Sequence, residues 1–176
     1  LQINVAFPLG ATFRTVPGTS DFGGGLGDLS LSMRWDVVRN GRDPVVPGIA
    51  PLLSVTVPSG TPIDMAQNPL GADATGLGGA QLGAGIALEK TFGRMLLALT
   101  GTAAFHGART VHDLHSQLGP DLAGTLGVSY TFPKGLSLAD ALTYTGPWDS
   151  TVADASMPDS ARALTTLALV SALPLK

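Results

Sequence analysis

The sequence predicts an all-β protein: a transmembrane antiparallel β-barrel with about eight strands visible in this chain, which either complete the barrel or form part of a larger one. Three observations predict it. Large apolar residues alternate with small or weakly polar ones through most of the chain, and period two is the signature of strands. Charged residues make up only 13% of the chain, about half the usual share, and the mean hydropathy is +0.30, yet no apolar run is long enough for a membrane-spanning helix. Short and long connections alternate along the chain, as they do in outer-membrane barrels.

The alternation is plainest from Leu122 to Tyr144. Leu122, Leu126, Val128, Tyr130 and Phe132 share one side, and Ala123, Thr125, Gly127, Ser129 and Thr131 the other. Pro133-Lys134-Gly135 breaks the run as a hairpin turn would. Leu136, Leu138, Leu142 and Tyr144 then resume opposite Ser137, Ala139, Ala141 and Thr143. The small face is too slight to fill a soluble core, so the large face must meet lipid.

The other strands follow in order. Leu1 to Leu9 sets Leu1, Ile3, Val5 and Phe7 against Gln2, Asn4 and Ala6. Asp28 to Val38 sets Leu29, Leu31, Met33, Trp35 and Val37 against Ser30, Ser32, Arg34 and Asp36. Ile49 to Pro58 carries Leu53, Val55 and Val57 against Ser54 and Thr56. Leu77 to Lys90 sets Leu82, Ile86 and Leu88 against Gly83, Gly85 and Glu89. Met95 to Phe105 sets Met95, Leu97, Leu99 and Phe105 against Ala98, Thr100, Thr102 and Ala104. Leu164 to Leu175 closes with Leu167, Leu169, Leu173 and Leu175. Residues 1–176 read as one domain.

Connections near Asn40, Gly93 and Lys134 are short, and those after Leu9, Pro58, Phe105 and Tyr144 are long. Loops Ser59–Thr75, His106–Gln117 and Gly146–Asp159 are therefore expected outside the cell and the short turns inside. With that direction fixed, Phe7, Phe105, Tyr144 and Trp148 fall near outer ends, and Trp35, Phe92, Tyr130 and Phe132 near inner ends. Two aromatic girdles result. The competing reading is a soluble β-sandwich whose aromatics flank turns.

Four pieces resemble one family: Gly25-Leu26-Gly27-Asp28-Leu29, Val57-Pro58-Ser59-Gly60-Thr61, Thr75-Gly76-Leu77-Gly78, and Gly127-Val128-Ser129-Tyr130. In this order they are similar to the outer-membrane transporter-like proteins of the meta-pathway of phenol degradation. The resemblance implies a barrel in a Gram-negative outer membrane, with uptake of apolar or aromatic compounds. Such proteins are usually longer, and the ending Leu173-Pro174-Leu175-Lys176 lacks the terminal aromatic of barrel insertion signals. Leu1 already lies in an alternating pattern without a leader, so the chain reads as mature or truncated.

Candidate chemistry is sparse. Arg34, Asp36 and Glu89 are the charges on the small face toward the inner end, and read either as a weakly charged constriction or as a structural ion-pair cluster. His106, His112 and His115 cluster beside Asp113 and are weak metal candidates, but their spacing matches no strong ligand motif. Ser116 beside them does not make a triad, which is defined by geometry rather than adjacency. Gly23 to Gly27 precedes a strand, whereas a phosphate-binding loop opens a helix. Asp140 interrupts the apolar face, so a protein neighbour, a bulge or a register slip is expected there. The net charge of −3 without a basic run excludes a nucleic-acid footprint, and the absence of cysteine excludes disulfides and thiolate metal sites.

The expectation is a non-enzymatic outer-membrane protein without cofactor: a passive channel or transporter for small neutral or apolar solutes. Its partners are outer-membrane lipid, the solutes, and other envelope proteins. The alternative is a closed structural barrel acting as a subunit of a larger cell-envelope assembly. Small inward side chains would leave voids in a barrel of eight strands, so further strands, water, lipid or a plug should fill it.

Overall fold

The computed structural model describes residues 1–111, 113–133, 135–153 and 155–172. In chain order the strands are β1 (Gln2–Ala6), β2 (Leu9–Val16), β3 (Thr19–Leu26), β4 (Leu29–Arg34), β5 (Gly48–Val57), β6 (Gln81–Phe92) and β7 (Met95–His106). β8 (Arg109–Val111), β9 (Leu114–Gln117), β10 (Asp121–Thr131), β11 (Ser137–Pro147), β12 (Thr151–Val152), β13 (Ala155–Ser156) and β14 (Leu164–Ala172) follow. Eight of them form one antiparallel sheet in the order β1-β4-β5-β6-β7-β10-β11-β14. This is an up-and-down meander with three excursions: the hairpin β2–β3, the hairpin β8–β9, and the pair β12–β13. Among the described residues β1 and β14 remain the two edges of the sheet, and no strand joins them.

Register turns the alternation into two faces. On one face Ile49, Leu88, Leu99, Leu126, Leu142 and Leu167 stand opposite one another across six neighbouring strands. On the other face, one residue away along each strand, Ala50, Ala87, Thr100, Thr125, Thr143 and Thr166 form the matching row. Along β10 the large even-numbered residues are exposed while the small odd-numbered ones are half-buried. Small side chains are thus sheltered better than large ones, which places the small face on the concave side of a curled sheet. Among the described residues no large side chain is fully buried, and the buried apolar residues are Ala50, Ala72 and Ala87. A water-soluble chain of this length would bury most of its apolar surface in a core. This one turns its leucines outward, as a wall against hydrocarbon does.

Pro51 explains where β4 stops. Its carbonyl accepts from the Trp35 N–H at 3.1 Å, but a proline has no N–H to return the bond. Regular pairing ends at Arg34 opposite Leu52, short of the Val38 end that alternation suggests. Val37 and Val38 then both donate to the Ile49 carbonyl, at 3.0 and 3.1 Å. Two residues opposite one make a β-bulge, which resets the phase of the strand.

Three sequence expectations need correction. The stretch after Leu9 is not a loop: β2 and β3 pair from Leu9↔Leu26 to Val16↔Thr19 and extend the β1–β4 hairpin beyond the main sheet. The stretches His106–Gln117 and Gly146–Asp159 also carry strands, and β13-β12-β9-β8 form a small antiparallel sheet. At Asp140 there is neither bulge nor slip. It pairs regularly with Val128 and Leu169 and is exposed on the leucine face. Two pairs nearer the turn, on the same face, Tyr130 faces Leu138, so the carboxylate stands between the leucine row and the aromatic end, where an acidic group costs less than at the bilayer centre. Lys134 and Leu173–Lys176 lie outside the described residues.

Candidate functional site

The concave face offers three features, from one end of the sheet to the other. At the end of the sheet with the Gly93 turn, where the connection at Asn40 is longer than expected and runs from 35 to 47, Arg34, Asp36 and Glu89 come together. Arg34 Nη1 lies 2.5 Å from Glu89 Oε1, and Arg34 Nε lies 2.9 Å from Asp36 Oδ1. β4 and β6 both pair with β5, so Arg34 reaches past one intervening strand to Glu89. Arg39 lines the same cavity, with Gln2 and Asn40. Two cations and two carboxylates face one another there, a locally neutral set. Alternation could not reveal Arg39, because the Val37–Val38 bulge resets the phase just before it. Beside this mouth, Asp43 accepts from the Val45 and Val46 N–H groups at 2.6 and 2.9 Å. Those bonds, the one from Val46 foremost, hold its carboxyl below the usual carboxylate range.

Midway, the row Thr100, Thr125, Thr143 and Thr166 carries four hydroxyls on adjacent strands. Thr125 Oγ1 and Thr143 Oγ1 are 3.0 Å apart, within hydrogen-bond distance. Alanine and glycine dominate the next row toward the short turns: Ala98, Gly127, Ala141 and Ala168. Across β7, β10, β11 and β14 the wall is uncharged through its middle, and Glu89 of β6 stands opposite Ala98 in the alanine row.

At the far end three of the four glycine-rich motifs meet in one clasp. The Asp28 carboxylate accepts from the Gly60 N–H at 2.9 Å and the Leu77 N–H at 2.8 Å. Ser59 Oγ donates to the Gly27 carbonyl at 3.0 Å and accepts from the Leu29 N–H at 2.9 Å. Thr75 Oγ1 donates to the Leu26 carbonyl at 2.6 Å and accepts from the Thr61 N–H at 3.1 Å. The glycines follow from this proximity: a Cβ at Gly60 would lie 2.8 Å from Gly76 Cα, and one at Gly76 would lie 2.5 Å from Asp28 Oδ1. The loop is also tied to the β2–β3 hairpin, where Arg14 donates to the Leu70 carbonyl at 2.8 Å and Asn68 Nδ2 to the Phe22 carbonyl at 3.0 Å. Asp73 accepts from the Gln67 and Asn68 N–H groups, which lowers its pKa, Gln67 contributing most. Asp28→Ala should leave two backbone donors without their charged acceptor. A loss of about 1–3 kcal/mol is expected, together with faster amide exchange at Gly60 and Leu77; unchanged exchange there would show the clasp is not held by Asp28.

His106 and His115 stand apart among the described residues. His106 is not in a loop but ends β7, is 8% exposed, and places Nε2 2.9 Å from Asp121 Oδ2. His115 lies on β9 opposite Thr110, and His112 lies outside the described residues. Among the described residues no three His, Cys, Asp or Glu side chains converge on one point.

No protein-family model matches the chain, and no curated protein matches it. Solved structures do. The chain superposes on the crystal structure of the COG4313 outer membrane channel from Pseudomonas putida F1 with a TM-score of 0.68 and 16% sequence identity. The match covers 85% of this chain and 54% of that one, so the chain spans about half the length of that channel. The shared feature is the fold.

Proposed function

We propose that this chain forms all or part of the wall of an outer-membrane channel that passes small neutral or apolar solutes. One observation carries the reading: a leucine row on the convex face backs onto a threonine row on the concave face across the same strands. Lipid contacts on one side and an aqueous or solute-bearing path on the other call for that division. The outer-membrane channel of the same fold supports the location. Hydroxyls and backbone-like small groups bind neither sign of ion strongly, and the acid–base set at one mouth is locally neutral, so uncharged solutes should pass better than ions. The motif resemblance points within that class toward aromatic compounds.

The test is reconstitution. Liposomes containing the protein should swell faster in an isosmotic small neutral solute than in a charged solute of equal size, with little ionic conductance in planar bilayers. Swelling no faster than in empty liposomes would sink the channel and leave the closed structural barrel, a subunit of an envelope assembly.

A further inference from the structure

A cavity of about 240 Å³ lies at the clasp end, where nothing in the motif reading placed a site. Its floor includes His106, the last residue of β7, which follows Thr100, Thr102 and Ala104 on the concave face. Its sides come from Ile63 and Leu77 of the long connection, Leu118, and the Arg109 and Ser116 positions of the β8–β9 hairpin. The size suits one ring: a dry cavity of about 150 Å³ takes benzene.

The polar groups at this cavity narrow the ligand. Both basic side chains already have acidic partners. Arg109 Nη1 lies 3.0 Å from Asp64 Oδ1, and His106 Nε2 lies 2.9 Å from Asp121 Oδ2. The room for the first pair is built in. Gly78 has φ +74, and a Cβ there would press on Arg109 Nη1 and lie 2.7 Å from Pro62 Cβ. The hairpin is held against the floor by Gln117 Nε2, which donates to the His106 carbonyl at 2.8 Å. A charged ligand would lose hydration, and the basic groups it would meet already face carboxylates. Ser116 offers a hydroxyl that both donates and accepts, among apolar walls.

We propose that this cavity is a binding subsite for an uncharged, single-ring-sized solute carrying one hydroxyl or carbonyl group, with Ser116 as its hydrogen-bond partner and Ile63, Leu77 and Leu118 as its apolar walls. That the subsite captures solute ahead of the threonine row rests on the channel reading; the binding itself does not.

Isothermal titration of the full chain in detergent micelles, with empty micelles subtracted, tests it. Cyclohexanol should bind saturably at one site per chain, and cyclohexanecarboxylate at least tenfold more weakly. Leu118→Trp should fill the cavity and weaken cyclohexanol at least tenfold while heat-modifiable migration on gels stays intact. Ser116→Ala, too small a change to unfold the hairpin, should weaken cyclohexanol roughly threefold to tenfold and leave cyclohexane unchanged. Cyclohexanol binding that ignores Leu118→Trp and Ser116→Ala, or a preference for the carboxylate, overturns the proposal. Because micelle binding needs no transport, a protein that binds cyclohexanol yet gives no liposome swelling would retire the channel and leave the subsite standing.

Discussion

Leu126→Arg should destabilise the protein in lipid by roughly 2–4 kcal/mol, and Thr125→Arg by clearly less. The two positions are adjacent, so strand propensity and depth are nearly the same and only the face differs. Leu126 is the middle residue of β10, 51% exposed, and stands between Leu99 and Leu142. A guanidinium there would enter the hydrocarbon with no partner, and its side chain must climb several residues to reach water. Thr125 stands between Thr100 and Thr143 on the concave face, where an arginine meets hydroxyls and solvent. Urea titration of vesicle-folded protein would measure both. Equal costs would mean that the two faces see the same medium and that neither is a lipid wall. A larger cost for Thr125→Arg would mean the sheet is inside out.

The two faces were legible because period two is the most robust pattern a strand leaves, and a lipid wall exaggerates it. Leu122 to Tyr144 needed no turn chemistry beyond Pro133 and Gly135. The rows of leucine and threonine were not legible, since they depend on register between strands far apart in sequence. Thr100 and Thr166 belong to one row only because β10 and β11 lie between them.

What sequence reading called loops shows a different limit. β8, β9, β12 and β13 have two to four residues each, too few to display any period. β9 also pairs with β12, from the next excursion, a contact no local pattern encodes. The β2–β3 hairpin was hidden for another reason: Gly23, Gly24 and Gly25 read as a flexible loop, yet the structure uses small residues for close approach. A Cβ on Gly23 would lie 2.6 Å from the Asp73 nitrogen. Three of the four glycine motifs that carried the family resemblance are, physically, the contact surfaces of the clasp. The inner charges were found at Arg34, Asp36 and Glu89 because those residues fall before the bulge or on an unbroken strand, and Arg39 was missed because it falls after.

If the protein conducts as proposed, Arg34→Ala should turn its conductance toward cations. Arg34, Arg39, Asp36 and Glu89 line one cavity, and with all four charged the set sums to zero. Removing Arg34 leaves one net negative charge and separates Asp36 and Glu89 from their shared partner. A unit charge acting over about 10 Å of water is worth roughly 0.4 kcal/mol. That raises the local cation concentration about twofold and lowers the anion concentration as much, so the cation-to-anion permeability ratio should rise roughly fourfold at low salt. At 1 M salt the Debye length falls to about 3 Å and the effect should fade. Glu89→Gln removes a charge of the opposite sign from the same set and should shift selectivity toward anions by a comparable factor. Reversal potentials in planar bilayers under a salt gradient would measure both, and the paired signs matter more than either size. Shifts in the same direction would point to a widened pore rather than a changed field. If neither substitution moves the potential of a conducting protein, ions pass elsewhere, and the four charges serve only to fasten β4 to β6 at that end of the sheet.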